Sequence, residues 1–348
     1  MGTGKTQFTK SLITQLYRDR SHNIGTEPIG ILIFDYKGDY NQSKEDFVKA
    51  TDAKVLQPYH LPFNPLAILR PKVPKHLLPI HTANSFKDTL SKVYDLGAKQ
   101  QDTLFTCIND AYSAKGINSE QESTWNNIPP TFDTVYQIYT NNEDIKKNDS
   151  LAAAMNKLNR FKIFESDPEK TKSLFDLLKG VVVIDLSGYD EDIQSLTVAI
   201  TLDLFYSNMQ ATGSSLLEQQ QYRQLTKMIL VDEADNFMSK GFPALKKILK
   251  EGREFGVGTI LSTQFLRHFG NGDDDYSAYI LTWVVHNVAD LKNSDVDFVF
   301  KTESKGEESK LFNDIKKLEK HHSIVKVGID EPAYIKDKAF WELWKEIQ

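Results

Sequence analysis

The sequence predicts an α/β protein with a mainly parallel β-sheet flanked by helices, and two observations lead to this fold class. Short apolar runs typical of buried parallel strands occur at 29–35, 181–186, 228–232 and 258–262. Segments with helical periodicity separate these runs, and strands that alternate with helices form parallel sheets covered on both faces. Two further strands are expected at 279–285 and 323–327.

The predicted helices fill the intervals between the strands. The first runs from Lys5 to about Arg20 with apolar residues near a 3.6-residue period, and later ones are expected at 192–209 and 243–255. From 80 to 179 the pattern is mostly helical, which predicts an α-helical insertion. The predicted division is therefore an N-terminal part of the core (1–79), the insertion (80–179) and a C-terminal part of the core (180–348).

Length and composition exclude several classes of protein. The chain has 348 residues, 40% hydrophobic and 26% charged, as is ordinary for a globular protein with its own core. A single cysteine, Cys107, excludes an internal disulfide and a cysteine-rich zinc site. The net charge of −6 argues against coating DNA with the whole surface, but not against contact through a few loops. Since no signal peptide and no apolar run of ~20 residues occurs, we expect a cytoplasmic protein with no membrane partner.

The segment from Gly2 to Gln7 has the pattern of the end of a phosphate-binding loop. Gly4-Lys5-Thr6 opens a helix, where glycine lets backbone N–H groups approach phosphate oxygens and the helix N-terminus adds partial positive charge. Lys5 is placed to reach the β- and γ-phosphates, and the Thr6 hydroxyl to ligate Mg²⁺. The predicted nucleotide-binding residues are Gly2, Gly4, Lys5, Thr6 and Gln7, with ATP and Mg²⁺ as cofactors.

The phosphate-loop pattern begins before the chain does. In G-x-x-x-x-G-K-[ST] the first glycine falls five residues before Gly4, upstream of Met1, as does the strand that feeds the loop. We therefore expect a fragment, or a reading frame opened at an internal methionine.

A second motif lies at the end of the strand 228–232, where the apolar run stops at the adjacent acids Asp232 and Glu233. At the carboxyl edge of a parallel sheet, beside the phosphate loop, Asp232 would hold Mg²⁺ through water. Glu233 would polarise the attacking water as general base. Both motifs in this order, with strands between them, predict nucleotide binding.

Four further side chains have a functional and a structural interpretation. Asp35 and Asp185 each end an apolar strand; a turn or helix-cap role is favoured for Asp185 and an active-site role for Asp35. Gln264, after the strand that follows the acidic pair, can contact the γ-phosphate or the attacking water. Arg253, at the end of a helix, is either a solvated partner of the helix dipole or an arginine finger supplied to a neighbouring subunit.

These segments together resemble the HerA/FtsK superfamily of RecA-like P-loop ATPases, which includes the conjugation coupling ATPases. The resemblance is carried by Val-Asp-Glu-Ala-Asp, Glu-Gly-Arg-Glu-Phe-Gly-Val-Gly and Leu-Ser-Thr-Gln within 229–264, and by Asp-Tyr-Lys-Gly-Asp-Tyr at 35–40 in place of the usual Asp-Pro-x-Gly-Glu-Tyr. Within it, the segments 2–12, 33–40 and 61–66 are most similar to the C-terminal ATPase portion of the DptH type, the restriction half of DNA phosphorothioation systems.

The resemblance implies roles and partners beyond those read from the residues. Glu233, Gln264, Arg253 and Asp35 would be catalytic, and Thr6 with Asp232 would hold the metal. The implied function is a DNA-stimulated ATPase that moves DNA, with double-stranded DNA, a homo-hexameric ring and other restriction or defence subunits as partners.

Other functions stay open at this point. An AAA+ remodelling ATPase requires a small helical lid after the last strand, which the C-terminal strands and Trp-rich helix fit badly. An ABC ATPase requires a Leu-Ser-Gly-Gly-Gln signature, of which only Leu186-Ser187-Gly188 is found. The alternative from another class is a catalytically inactive scaffold that assembles a defence or DNA-processing complex.

Overall fold

The computed structural model describes residues 4–25, 28–145, 147–219, 221–234, 241–264, 269 and 276–348. Within them the strands are β1 (Gly30–Asp35), β2 (Lys54–Leu56), β3 (Val181–Asp185), β4 (Leu217–Glu218), β5 (Tyr222–Arg223), β6 (Lys227–Val231), β7 (Val257–Leu261), β8 (Thr282–Val285), β9 (His322–Val327) and β10 (Ala333–Lys336).

The α-helices of the described residues are α1 (Lys5–Arg18), α2 (Glu45–Thr51), α3 (Leu78–Tyr94), α4 (Ala98–Ala114), α5 (Phe132–Asn141), α6 (Ser150–Phe161), α7 (Leu174–Leu177), α8 (Glu191–Thr212), α9 (Pro243–Glu251), α10 (Asn293–Phe300), α11 (Lys305–Lys317) and α12 (Phe340–Ile347). Short 3-10 helices occupy Asp19–His22, Glu122–Asn126, Pro168–Lys170 and Ser277–Tyr279.

The central sheet has the strand order β2-β3-β1-β6-β7, and every neighbouring pair is parallel. β1 is fully buried, and its side chains alternate between two apolar clusters, with Leu32 and Phe34 on one face and Ile31 and Ile33 on the other. A strand buried on both faces explains its continuous apolar run. The predicted α/β fold with a mainly parallel sheet is confirmed.

Helices α3 to α7 lie between β2 and β3 in the chain, in the stretch predicted as an insertion. Their apolar faces, including Phe86, Leu90, Leu104 and Ile108, belong to the same cluster as Leu32 on the sheet. These helices therefore cover one face of the sheet with a shared core. The division at 79 and 179 stays a prediction.

The two C-terminal strands expected from the sequence do not extend the parallel sheet. β8 and β9 form a separate antiparallel sheet with β10, in the order β10-β9-β8. The short connection 328–332 between β9 and β10 accounts for the antiparallel pairing, because parallel neighbours need a crossover of a dozen or more residues. Among the described residues, none of the helices combines the length and apolar character needed to cross a bilayer.

Candidate functional site

The carboxyl edge of the central sheet brings the predicted acids together. The register pairs Asp35 with Asp185 and sets the ends of β1, β6 and β7 level, so that Asp232, the first residue after β6, lies on the same edge. In parallel sheets this edge is where ligands bind. Three strands thus each contribute a carboxylate to one row.

Helix α1 begins beside this row. Its N-cap, Gly4, has φ 109°, a left-handed conformation, and a Cβ there would lie 2.9 Å from Nδ1 of His321. Glycine is required for both reasons. Lys5 Nζ donates a hydrogen bond of 2.9 Å to the carbonyl oxygen of Thr263, just after β7. The first turn of α1, whose N–H groups have no intrahelical acceptors, therefore lies at the same edge as the acids.

Of the other predicted nucleotide-binding residues, Thr6 lies in the first turn of α1, whereas Gln7 contacts α12. Thr6 follows Lys5 in the first turn of α1 and is half-buried. The side chain of Gln7 accepts a hydrogen bond of 3.3 Å from the backbone N–H of Trp341, which ties α1 to α12. Gly2 lies outside the described residues. Nucleotide contact by Gln7 and Gly2 stays a prediction.

Asp232 is a buried acid, only 3% exposed. Within the described part of the chain, its Oδ2 atom has no hydrogen-bond partner. Burial raises the pKa of Asp232 to about 6, and the nearby Glu233, Asp39 and Asp35 act in the same direction, while a hydrogen bond with Ser262 opposes them. An ionised carboxylate held this way is stabilised by a cation.

The residues present fit a Mg²⁺ ion. The unpartnered oxygen of Asp232 and the surplus of nearby acids supply the oxygen ligands and negative charge that Mg²⁺ prefers, and the Thr6 hydroxyl lies in the adjoining turn of α1. No group of three or more His, Cys, Asp or Glu side chains within the described ranges is arranged to hold a metal by itself. That agrees with Mg²⁺, which is usually bound by one or two protein carboxylates together with substrate phosphates and water.

The raised pKa of Asp232 predicts a stability effect. Because the folded state binds this proton more tightly than the unfolded state, the contribution of Asp232 to stability falls as pH rises from about 4 to about 6 and stays lost above it. At pH 7.5, Asp232→Asn should raise the free energy of unfolding by up to about 3 kcal/mol, at 1.36 kcal/mol per pKa unit. The gain should shrink towards pH 5. Thermal unfolding of both proteins at the two pH values tests this, and an equal difference at both would contradict it.

The side chain of Glu233 is held by two partners. Gln264 Nε2 donates to both of its carboxylate oxygens, at 3.2 Å to Oε1 and 3.0 Å to Oε2. Lys37, from the turn after β1, forms an ion pair with Oε1. The backbone of Glu233 has φ 54°, which is uncommon for a residue other than glycine and is typical of constrained sites. The predicted base, Glu233, and Gln264, predicted to contact the γ-phosphate or the attacking water, are therefore in direct contact.

Asp35 has a clear structural task. Both of its oxygens accept backbone N–H groups, Oδ1 from Asp39 at 2.9 Å and Oδ2 from Tyr40 at 2.8 Å. It thereby fixes the turn 36–40, and its catalytic role stays a prediction. Asp185, for which a turn role was favoured, accepts bonds from the backbone and hydroxyl of Ser187 and from Gln57.

Arg253 lies away from the acids of its own chain. It is exposed and precedes β7, at the amino edge of the sheet. With β7 spanning 257–261, it is about 16 Å from the acidic edge at roughly 3.3 Å per residue. Whether Arg253 acts on another subunit or is a solvated partner of the helix dipole stays a prediction.

Further side chains around α1 were not predicted from the sequence. Lys10 of α1 is 7% exposed, its pKa is lowered by burial, and its ammonium lies 5.5 Å from the centre of the Tyr40 ring. The hydroxyls of Thr9 and Tyr40 are 2.5 Å apart. Tyr40 ends the Asp-Tyr-Lys-Gly-Asp-Tyr segment, so that segment was the available signal. These contacts pack α1 against the turn that carries Lys37.

The antiparallel C-terminal sheet also touches α1. His286, buried after β8, contacts the ring of Phe8 edge-on with centroids 5.5 Å apart. Its Nδ1 lies 3.4 Å from Oδ2 of Asp337, and burial lowers the pKa of His286 against the opposing effect of Asp337. Nothing in the sequence links these distant positions to α1.

The chain is similar to known proteins in family and in fold. Residues 2–205 match the DUF87 family, described as helicase HerA, central domain. Comparison with curated protein sequences finds no match.

Among solved structures, VirB4 of Thermoanaerobacter pseudethanolicus superposes with a TM-score of 0.70 at 14% identity, covering 99% of this chain and 88% of that chain. The bacterial conjugative coupling protein TrwBdeltaN70 matches with a TM-score of 0.52 at 13% identity, covering 97% and 82%. At such identities the likeness shows a shared fold. The family match spans more than half of the chain, and the chain belongs to the HerA helicase central-domain family.

Proposed function

We propose that this protein is an ATP-driven motor that acts on DNA. It binds Mg·ATP at the carboxyl edge of the central sheet and couples hydrolysis to movement along the DNA. The observation that carries this function is the junction of α1 with the acidic edge. Lys5 contacts Thr263, the next residue Gln264 contacts Glu233, and Glu233 follows Asp232.

The residues of this edge divide the work of phosphoryl transfer. Lys5 and the first N–H groups of α1 bind the phosphates, and Thr6 with Asp232 holds Mg²⁺, which neutralises developing charge when bound. Glu233 accepts the proton of the attacking water, because a carboxylate is a suitable base once an oxygen faces that water. Gln264, bonded to Glu233, aligns this base. Asp35 supports the site through the turn it fixes.

Arg253 is proposed to complete a neighbouring subunit's site in a homo-hexameric ring. Its position about 16 Å from the acids, by strand rise, supports action in trans. Measuring ATP hydrolysis after mixing Arg253→Ala subunits with Glu233→Gln subunits tests whether the site is shared. Hydrolysis absent from either variant alone should return in the mixture, and its failure to return would argue against a shared site.

Double-stranded DNA is the proposed substrate of movement, within a phosphorothioation-dependent restriction system that includes other defence subunits. The resemblance of the segments 2–12, 33–40 and 61–66 supports this assignment. Stimulation of hydrolysis by unmodified DNA but not by phosphorothioated DNA of the same sequence would support the system. Equal stimulation by both DNAs would contradict the assignment to a restriction system but not the proposed DNA-driven ATPase.

ATP hydrolysis with and without DNA tests the function. The release of inorganic phosphate should rise several-fold on adding double-stranded DNA. This stimulation should weaken as the salt concentration rises, because contacts with the DNA backbone phosphates release counterions. Poly-anions such as heparin serve as the control for nonspecific charge. If no DNA of any form elicits hydrolysis, the fold acts as a catalytically inactive scaffold instead.

A further inference from the structure

Lys37 is a cation whose partner is the general base itself. Its ammonium pairs with Oε1 of Glu233, and the side chain of Glu233 is only 11% exposed. With Gln264 bonded to both oxygens, each oxygen of Glu233 already has a partner. A general base needs an oxygen directed at the water whose proton it takes. In this arrangement Lys37 competes with that water for Oε1, while Gln264 holds the orientation of the carboxylate.

The backbone that carries Lys37 is rigid. Asp35 accepts the N–H groups of Asp39 and Tyr40, and Gly38 has φ 74°. A Cβ on Gly38 would lie 2.9 Å from Nδ2 of Asn41, so the turn is closely packed. The Cα position of Lys37 is therefore fixed relative to β1.

The tip of Lys37, by contrast, can leave. Its side chain is 49% exposed, and a long lysine stem reaches many positions from one Cα. Exposed ion pairs are weak, and a half-exposed one is broken at small cost. Lys5 donates a hydrogen bond to Thr263, and the next residue, Gln264, bonds to Glu233. A movement of Lys5 on binding a phosphate can therefore reach Glu233 through these two adjacent residues.

We propose that Lys37 is a positioning residue that restrains Glu233, and that this ion pair must break before Glu233 can face the attacking water. This rests on the ATPase function proposed above. The restraint keeps hydrolysis low without DNA, and the DNA stimulation proposed above requires its release. Lys37 itself touches neither substrate nor reacting atoms in this role.

Steady-state ATP hydrolysis by Lys37→Met tests the restraint. Methionine keeps the stem and removes the charge. Without DNA, kcat should rise about three- to fivefold, as expected when a weak ion pair no longer opposes the active geometry. With saturating DNA, kcat should stay within about twofold of wild type, and the KM for ATP should not change. The stimulation ratio therefore falls.

Two further variants separate the restraint from a general effect. Lys37→Arg keeps the charge and should keep the low DNA-free rate. Lys49→Met removes the lysine of an exposed ion pair with Glu45 on α2 and should leave both rates unchanged. The restraint by Lys37 is wrong if Lys37→Met hydrolyses ATP without DNA no faster than wild type while wild type is still stimulated by DNA. That outcome would not affect the proposed ATPase function. If wild type hydrolyses no ATP, both fail.

Thermal unfolding tests the contact independently of activity. If Lys37 and Glu233 interact, the Tm change of the Lys37→Met, Glu233→Gln double variant should differ from the sum of the two single changes. Additive changes would show that the pair makes no contact in solution and would overturn the restraint.

Discussion

Glu233→Gln should lower the turnover number for ATP by at least about a hundredfold, the range seen when a general base is removed. Glutamine has the same shape and can still bond to Gln264, but it cannot accept a proton from water at neutral pH. Nucleotide affinity should change little, because Lys5 and Asp232 remain. Phosphate release gives kcat, and titration with a fluorescent ATP analogue gives Kd.

The matched control for this variant is Glu45→Gln. Glu45 also pairs with a lysine, but on the exposed helix α2. Its turnover should equal that of wild type. If Glu233→Gln retained a turnover within threefold of wild type, the base would have to be another group.

Lys5→Ala should weaken ATP binding roughly 10- to 100-fold, since a hydrogen bond to a charged group contributes about 1.5–3 kcal/mol. Its hydrolysis should fall further, because charge on the transferred phosphate grows in the transition state. Calorimetric titration with ATP and Mg²⁺ measures the affinity. Lys5 also bonds to the carbonyl of Thr263, so the Tm of the variant must be compared with that of wild type.

Lys49→Ala supplies the control for Lys5, because it removes a lysine of the same length from an exposed helix. ATP affinity of Lys5→Ala equal to that of this control would mean that α1 does not bind the phosphates.

The predictable part of this fold is the part with local, periodic signals. Apolar runs ending in Asp35 and Asp232 identified two strands, and parallel pairing alone required both acids to lie on one edge. Helices α1 and α8 were expected within three residues of their observed ends. The antiparallel pairing of β8 and β9 was not expected, because an apolar run does not show which strand will pair with it.

Contacts between distant residues could not be predicted. Lys37 and Glu233 are 196 positions apart in the chain, and their pairing depends on the turn that Asp35 fixes. The side chain of Gln7, whose contact with the nucleotide stays a prediction, bonds to Trp341, 334 positions away. The sequence reports which residue types are present; the register and the turns decide which of them meet.

In the proposed site, Lys5 and Thr6 share one Mg·ATP with the pair Asp232 and Glu233. Iron-mediated cleavage tests it most directly: Fe²⁺ replaces Mg²⁺, and ascorbate with peroxide generates radicals that cut the backbone next to the metal. If the site is shared, ATP-dependent cuts should occur in two places, beside Thr6 and beside Asp232, and both should be lost in Asp232→Asn. Cuts at only one of these places, or cuts that do not depend on ATP, would contradict it.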